Sequence, residues 1–294
     1  MKNKNINYSK IEKEISVIVP TYNAQLTLTD AIESVVNQTI RPKEIIIIDD
    51  SSTDQTISIV KDLQYKYGNE WLRLIVLPKN LGAGEARNAG WDIATGKFIA
   101  FLDADDIWVD CKLEAQIKLF DEYQDLIICG HEFKYTWSDN IKTEEYQKNE
   151  IEKISKLQIL VSNTIVTPSV MLRRDIPFRF EIRKRYMEDH LLWMQIISSG
   201  FLALKMNAPL VILRKPQFGA SGLSAHLVAM EIGELQNYIY LKQKKIIGLL
   251  GFLILCIFSI IKFTIRVMKV FYRKLLNTIL IVKVNSSSKG NALE

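Results

Sequence analysis

The sequence of 294 residues holds only three cysteines, Cys111, Cys129 and Cys256, odd in number, widely spaced and never arranged as CxxC. That excludes a disulfide framework and a thiolate zinc site, and it fits a reducing compartment. Only thirteen residues are glycine and seven proline, which excludes a collagen-like chain, while 48% hydrophobic residues exclude disorder. The opening stretch, MKNKNINYSKIEKE, has no apolar run, so no secretory leader is expected there. A chain of this length buries a sizeable core without disulfide or metal staples.

Acidic charge is nearly missing from the tail. Residues 242–294 carry ten Lys and Arg against the single acid Glu294, a balance of +9. The whole chain has a formal net charge of +5, so the residues before the tail are slightly acidic, at −4. A slightly acidic body argues against a nucleic-acid-binding surface, and the basic tail points to an anionic membrane. Inside the tail, residues 246–261 (IIGLLGFLILCIFSII) run for sixteen positions without a charge. A clean membrane span needs about 20, and extension to residue 265 takes in Lys262.

Lys242, Lys244 and Lys245 precede the apolar run, and Arg266, Lys269, Arg273 and Lys274 follow it. Positive charge at both ends sets no orientation. Lys262, Arg266, Lys269 and Arg273 recur at helical spacing, as on an amphipathic helix lying on lipid. The tail therefore reads as a monotopic anchor or re-entrant segment, with a single span as the alternative. The expected division is a globular domain over residues 1–225 and a helical, membrane-associating tail over residues 226–294. The body then sits on the cytoplasmic face of the inner membrane.

Four short apolar runs occupy residues 15–19 (ISVIV), 44–48 (EIIII), 72–77 (LRLIVL) and 97–102 (KFIAFL). Such runs read as strands buried on both faces of a parallel sheet. Helical patterns lie between them, with Leu28, Ala31, Ile32, Val35 and Val36 on one face of the first. This alternation predicts an α/β fold with a mostly parallel, Rossmann-like open sheet flanked by helices. Beyond Asp106 the sequence predicts a helix over 111–123 and strands over 126–129, 168–172, 203–206 and 210–214. A further helix is expected over 189–199, and residues 137–152 read as a polar loop.

Ligands of open α/β sheets bind beyond the carboxyl ends of the strands. The first run is followed by Pro20, Thr21, Tyr22 and Asn23, the second by Asp49, Asp50, Ser51 and Ser52. The third leads to Asn80 and Arg87, the fourth to Asp103, Ala104, Asp105 and Asp106. Asp103-Ala104-Asp105 is a DxD at a strand end. Carboxylates make sense beside a diphosphate when a hard divalent cation, Mn²⁺ or Mg²⁺, lies between them. Taken alone, the same residues also suit a turn and a helix cap. Glu188-Asp189 precedes Leu192, Trp193, Ile196 and Ile197, an apolar stripe at helical spacing. Asp189 is there either a helix cap or a general base.

In this order and spacing, ISVIVPTYN, IIIIDDSSTDQT, NLGAGEARNAG and FLDADD resemble the nucleotide-binding half of family 2 glycosyltransferases with the GT-A fold. YMEDHLLW at residues 186–193 resembles the family's base-bearing motif. The resemblance implies that Pro20, Thr21, Tyr22 and Asn23 flank the nucleotide, and that Asp49 or Asp50, with Asp50 favoured, binds its base or ribose. It implies that Asn80 bonds the base and that Arg87 reaches the ribose–diphosphate region. Asp103 and Asp105 hold the metal, Arg214 helps hold the diphosphate, and Asp189 is the base with Glu188 its neighbour. His190 is expected on the helix surface or facing the acceptor, and residues 219–224 read as a loop that closes over the donor.

The implied activity is inverting transfer from a UDP-sugar to a saccharide hydroxyl, the acceptor being free or lipid-linked, in O-antigen, capsule or exopolysaccharide synthesis. A processive synthase would show QxxRW and several apolar segments, and neither is present. A non-catalytic nucleotide-sugar-binding scaffold would be expected to lose the DxD or Asp189. A nucleotidyltransferase would open with a Gly-rich basic phosphate loop.

Overall fold

The computed structural model describes residues 12–135, 151–214 and 226–290. The chain forms two compact units, Met1–Pro216 and Gln217–Glu294. In the first, strands β1 (Glu12–Thr21), β2 (Arg41–Asp49), β3 (Leu72–Val76) and β4 (Phe98–Phe101) alternate with helices α1 (Leu28–Val36), α2 (Thr56–Tyr67) and α3 (Ala83–Ile93). These strands are parallel in the order β3-β2-β1-β4. Every residue from Ile45 to Ile48 is fully buried, as expected of a strand covered on both faces.

Helix α3 lies close on this sheet because Gly90 permits it. A β-carbon there would come 2.7 Å from Ile18 Cγ2 and 3.2 Å from Ile48 Cγ1. Glu44 on β2 is buried but well supplied. It accepts from Ser16 Oγ, from Thr95 N and from Thr95 Oγ1, each at 2.7 Å, and it pairs with Arg73.

After β4 come β5 (Ile107–Trp108), α4 (Lys112–Glu122), β6 (Leu126–Tyr135), β7 (Ile151–Lys153) and α5 (Lys156–Val161). A 3₁₀ turn (Thr167–Ser169), β8 (Met171–Arg173), α6 (Glu188–Ser198) and β9 (Leu202–Leu213) complete the unit. The sheet continues from β4 as β8-β6-β9-β5, with β7 also on β9. β8 is antiparallel to β4 and β6, and β9 is antiparallel to β5 and β7. Parallel pairing thus runs through the first four strands and returns between β6 and β9, with antiparallel pairs between and beside them. Beyond the DxD the strand–helix alternation lapses, and the sheet becomes mixed.

β9 is one strand where the sequence predicts two. Asn207, Ala208 and Pro209 break the apolar pattern, yet pairing with β6 continues past a register shift near Glu132. Residues 168–172 were expected as strand, but Pro168 lies in the 3₁₀ turn and only Met171–Arg173 pair. Most of the polar stretch 137–152 lies outside the described residues, and its last two residues begin β7.

The second unit contains α7 (Leu227–Gln243) and α8 (Leu249–Gly290). Within α8, Leu249–Val270 has a mean hydropathy of 2.1 and only 11% of its most apolar window is buried. By length and composition it can cross a membrane. Lys262 and Arg266 do not project to the outer surface of α8 as the helical spacing suggests. They turn to α7, where Lys262 Nζ meets Glu234 at 2.6 Å and Arg266 meets Glu231 and Glu234 at 3.2 and 3.3 Å.

Candidate active site

The loops after β1 and β2 are tied to each other before any ligand is considered. Asp50 N donates to Thr21 O, and the Asn23 side chain accepts from Thr53 N at 2.8 Å. Asn23 holds a left-handed backbone (φ 48°), where asparagine is tolerated. It therefore fastens the two loops together. Pro20 is partly buried, Thr21 is buried, and the Tyr22 ring is 51% exposed.

The structure separates Asp49 from Asp50. Both oxygens of Asp50 accept backbone N–H groups, from Leu81 at 2.7 Å and Gly82 at 2.8 Å, so this carboxylate closes the loop that leads into α3. Asp49 Oδ2 accepts from Ser52 N, but Oδ1 is buried with no hydrogen-bond partner among the described residues. A buried acceptor left unpaired is costly. Asp49 is thus the member of the pair with an oxygen that no described residue serves. Asn80 donates to Asp50 O at 3.2 Å and accepts from Arg185.

Arg87 links the DxD to the Glu-Asp motif. Its guanidinium is buried and forks, reaching Asp103 Oδ1 at 2.8 Å and Glu188 Oε1 at 3.2 Å. Burial works against this charge, but Asp103 and Glu188 outweigh it and push the pKa up. Two of its nitrogens thus serve protein carboxylates, while Nε is buried with no hydrogen-bond partner among the described residues. Neighbouring Asn88 holds the chain opposite, exchanging hydrogen bonds with Phe180 O and N at 2.8 and 3.0 Å. Phe180 packs edge-on to Trp91, Phe101 and Trp193, which binds α3, β4 and α6 into one aromatic cluster beneath the site.

Asp103 and Asp105 are half-buried, Ala104 is buried, and Asp106 N closes the turn onto Asp103 O. Arg214 N donates to Asp106 at 3.3 Å, which brings this residue beside the acidic turn. Its guanidinium is committed to Asp30 at 2.6 Å rather than to the DxD. The loop at 219–224 lies outside the described residues.

Helix α6 begins at Glu188, after Met187 in a left-handed conformation (φ 57°) with no side-chain cap. Asp189 is therefore in the first turn and is not the cap. Its carboxylate is held by three donors: Thr167 Oγ1 at 2.9 Å, Asn163 Nδ2 at 3.3 Å and His190 N at 2.7 Å. Neither Asn163 nor Thr167 carries a sequence signal, because the fold alone brings them across to α6. Beside Asp189, Glu188 is buried, and burial together with the Asp189 charge pushes its carboxyl up to about 7 against the pull of Arg87. Gly84 on α3 leaves room for it, since a β-carbon there would lie 3.1 Å from Glu188 Cγ.

His190 is not on the surface as the sequence suggested. It is 1% exposed, and its Nε2 lies 2.6 Å from Ile159 O. Two cations of the run Arg183-Lys184-Arg185, just before the motif, also reach the site, and the basic run is their signal in the sequence. Lys184 is half-buried; burial lowers its pKa while Glu188, Glu181 and Asp189 act to raise it. Arg185 bonds Asn80 and lies along Gly82.

No cluster of three or more metal-ligating side chains occurs among the described residues. Asp103 and Asp105 supply two carboxylates at one strand end, and Arg87 takes only one oxygen of Asp103. That donor set does not make a cage. It fits a hard cation that draws its other oxygens from a diphosphate and water.

Known proteins share this arrangement of chain. S. aureus TarS (residues 1–349, in complex with UDP-GlcNAc) has a TM-score of 0.62 at 22% identity, over 78% of this chain and 66% of that one. The mannosyltransferase PcManGT from Pyrobaculum calidifontis, in complex with GDP-Man and Mn²⁺, has a TM-score of 0.59 at 16% identity, over 82% and 68% of the two chains. These likenesses establish a GT-A fold. In sequence, TuaG of Bacillus subtilis, a glycosyltransferase assigned to teichuronic acid biosynthesis, is 32% identical over 66% of this chain and 75% of its own. The Escherichia coli UDP-Glc:alpha-D-GlcNAc-diphosphoundecaprenol beta-1,3-glucosyltransferase WfaP is 32% identical over 66% and 74%. The profile described as Glycosyl transferase family 2 matches residues 16–179, more than half of the sequence. With the DxD and the Glu-Asp motif joined through one arginine, the chain belongs to glycosyltransferase family 2.

Proposed function

We propose that this protein is an inverting, metal-dependent hexosyltransferase. It moves a sugar from a UDP-sugar to a hydroxyl of a saccharide linked through diphosphate to a lipid. The reaction takes place at the cytoplasmic face of the cell membrane, in the building of a surface polysaccharide. The observation that carries this reading is the Arg87 fork, which joins the acidic strand end at Asp103 to the Glu188–Asp189 turn. Leaving-group chemistry and proton removal thereby share one site. The UDP-sugar and lipid-diphosphate assignments are supported by the activity in WfaP's name and by the UDP-GlcNAc complex of TarS.

In this mechanism the nucleotide base lies against the exposed Tyr22 ring and donates to the unpaired Asp49 oxygen. Asp103 and Asp105 would hold a divalent cation, which would supply Lewis-acid neutralisation of the charge on the departing diphosphate. Arg87 fixes Asp103 in place for that role. Asp189, oriented by Thr167, Asn163 and the His190 N–H, takes the proton from the acceptor hydroxyl as that oxygen attacks the anomeric carbon. Attack from the face opposite the diphosphate inverts the configuration.

The test offers purified protein UDP-sugars and a lipid-diphosphate-linked saccharide, with and without chelator. Transfer is expected from one UDP-sugar, abolished by chelation and restored by Mn²⁺ or Mg²⁺. Full transfer in excess chelator would contradict the metal, and turnover with other nucleotide sugars alone would contradict the donor.

A further inference from the structure

In a pair of helices stable in water, apolar side chains meet between the helices and charged ones face outward. The α7–α8 pair departs from this, burying charge beside Tyr238, Leu241 and Leu255 while a full apolar stripe faces outward. Glu231 and Glu234 of α7 are buried, and they meet Ser259, Lys262 and Arg266 of α8. Tyr238 OH also donates to Glu234 at 2.8 Å. These α8 positions are spaced three and four apart and so form one stripe of the helix. The opposite stripe, Leu250, Leu253, Ile254, Ile257, Ile261 and Met268, is exposed, Leu250 to 72%. Val228, Ile232 and Ile239 of α7 are exposed as well. Polar groups paired inside with apolar ones outside is the pattern of helices whose solvent is lipid.

We infer that α7 and α8 form a hairpin seated by the apolar face of α8 in an anionic lipid bilayer, with Glu231 and Glu234 neutralising Lys262 and Arg266. This deepens, and rests on, the membrane association proposed above. Lipid is favoured over a second copy by charge. Lys242, Lys244, Lys245 and Lys269 are exposed at the ends of the apolar segment, where they repel an identical chain and attract anionic headgroups. The two acids are then the reason that cations inside an otherwise apolar segment do not hold it out of the hydrocarbon. Removing them takes these carboxylates from two cations inside a segment held in hydrocarbon.

The test uses the full chain and vesicles of phosphatidylglycerol and phosphatidylethanolamine, sedimented and washed in about 1 M salt, where the screening length is about 3 Å. Wild type is expected to stay in the pellet, because its hold is apolar. E231Q/E234Q should be retained at least about tenfold less, since a cation in hydrocarbon that loses its carboxylate costs more than the factor-of-ten energy. Adding K262Q and R266Q to that variant should restore retention, which a misfolded tail would not do. Retention of E231Q/E234Q at the wild-type level, or failure of the fourfold variant to recover, overturns the neutralising pairs. Wild type washed off by salt, or forming a dimer that ignores vesicles, overturns the membrane reading itself.

Discussion

A guanidinium that is 5% exposed and faces two carboxylates has no substitute in lysine, which has one cationic nitrogen and no fork. Arg87 therefore anchors both acids beside it, though burial and the Asp189 charge outweigh its pull on Glu188. The Glu188 pKa, pushed up to about 7 from 4.5, means that the folded protein keeps a proton which the unfolded chain has released. The stabilisation from that proton is complete below the unfolded value and is lost as pH rises through about 7. Glu188→Gln cannot lose the proton. Its melting temperature should therefore gain on wild type as pH is raised from about 5 to about 8, and parallel curves would show that Glu188 does not titrate in this range. The residue-scale assignment that the sequence left open, Asp49 against Asp50, turns on hydrogen bonds to Leu81 and Gly82. No composition or spacing reveals them.

At the scale of elements, α3 is the connector. It lies on β1 and β2 through Gly90, meets Glu188 past Gly84 and carries Arg87 on its buried face. Gly90→Ala would press a β-carbon into Ile18 and Ile48, and overpacking of this kind costs about 1–3 kcal/mol. A drop of several degrees in thermal unfolding is expected, and an unchanged melt would mean that α3 stands farther from the sheet. The four parallel strands were legible because each is a compact apolar run between polar loops. β5 and β7 were not, being two and three residues long and made by pairing with β9 rather than by pattern. His190 was misplaced for a related reason. α6 is buried on nearly all sides, so its sequence has no polar face to mark one. The site was legible wherever chemistry is concentrated at strand ends and hidden wherever a distant segment supplies the partner, as Thr167 and Asn163 do for Asp189.

For the molecule as a whole, every group given a role in transfer lies in the first unit, and the second supplies the apolar helix and its paired charges. Transfer by this site depends on whether Asp189 removes a proton or only braces the first turn of α6. The cap position belongs to Met187, so Asp189→Asn keeps the shape and an oxygen for the His190 N–H, puts an amide that the Thr167 hydroxyl can accept from in place of Oδ2, and loses the basic group. The most direct measurement is the transfer rate of Asp189→Asn beside wild type, with UDP-sugar affinity and thermal melting taken on the same samples. The expected result is a rate lower by about 10²–10⁴-fold with donor affinity and melting unchanged. A rate near wild type would make Asp189 a structural residue and contradict its assignment as the base.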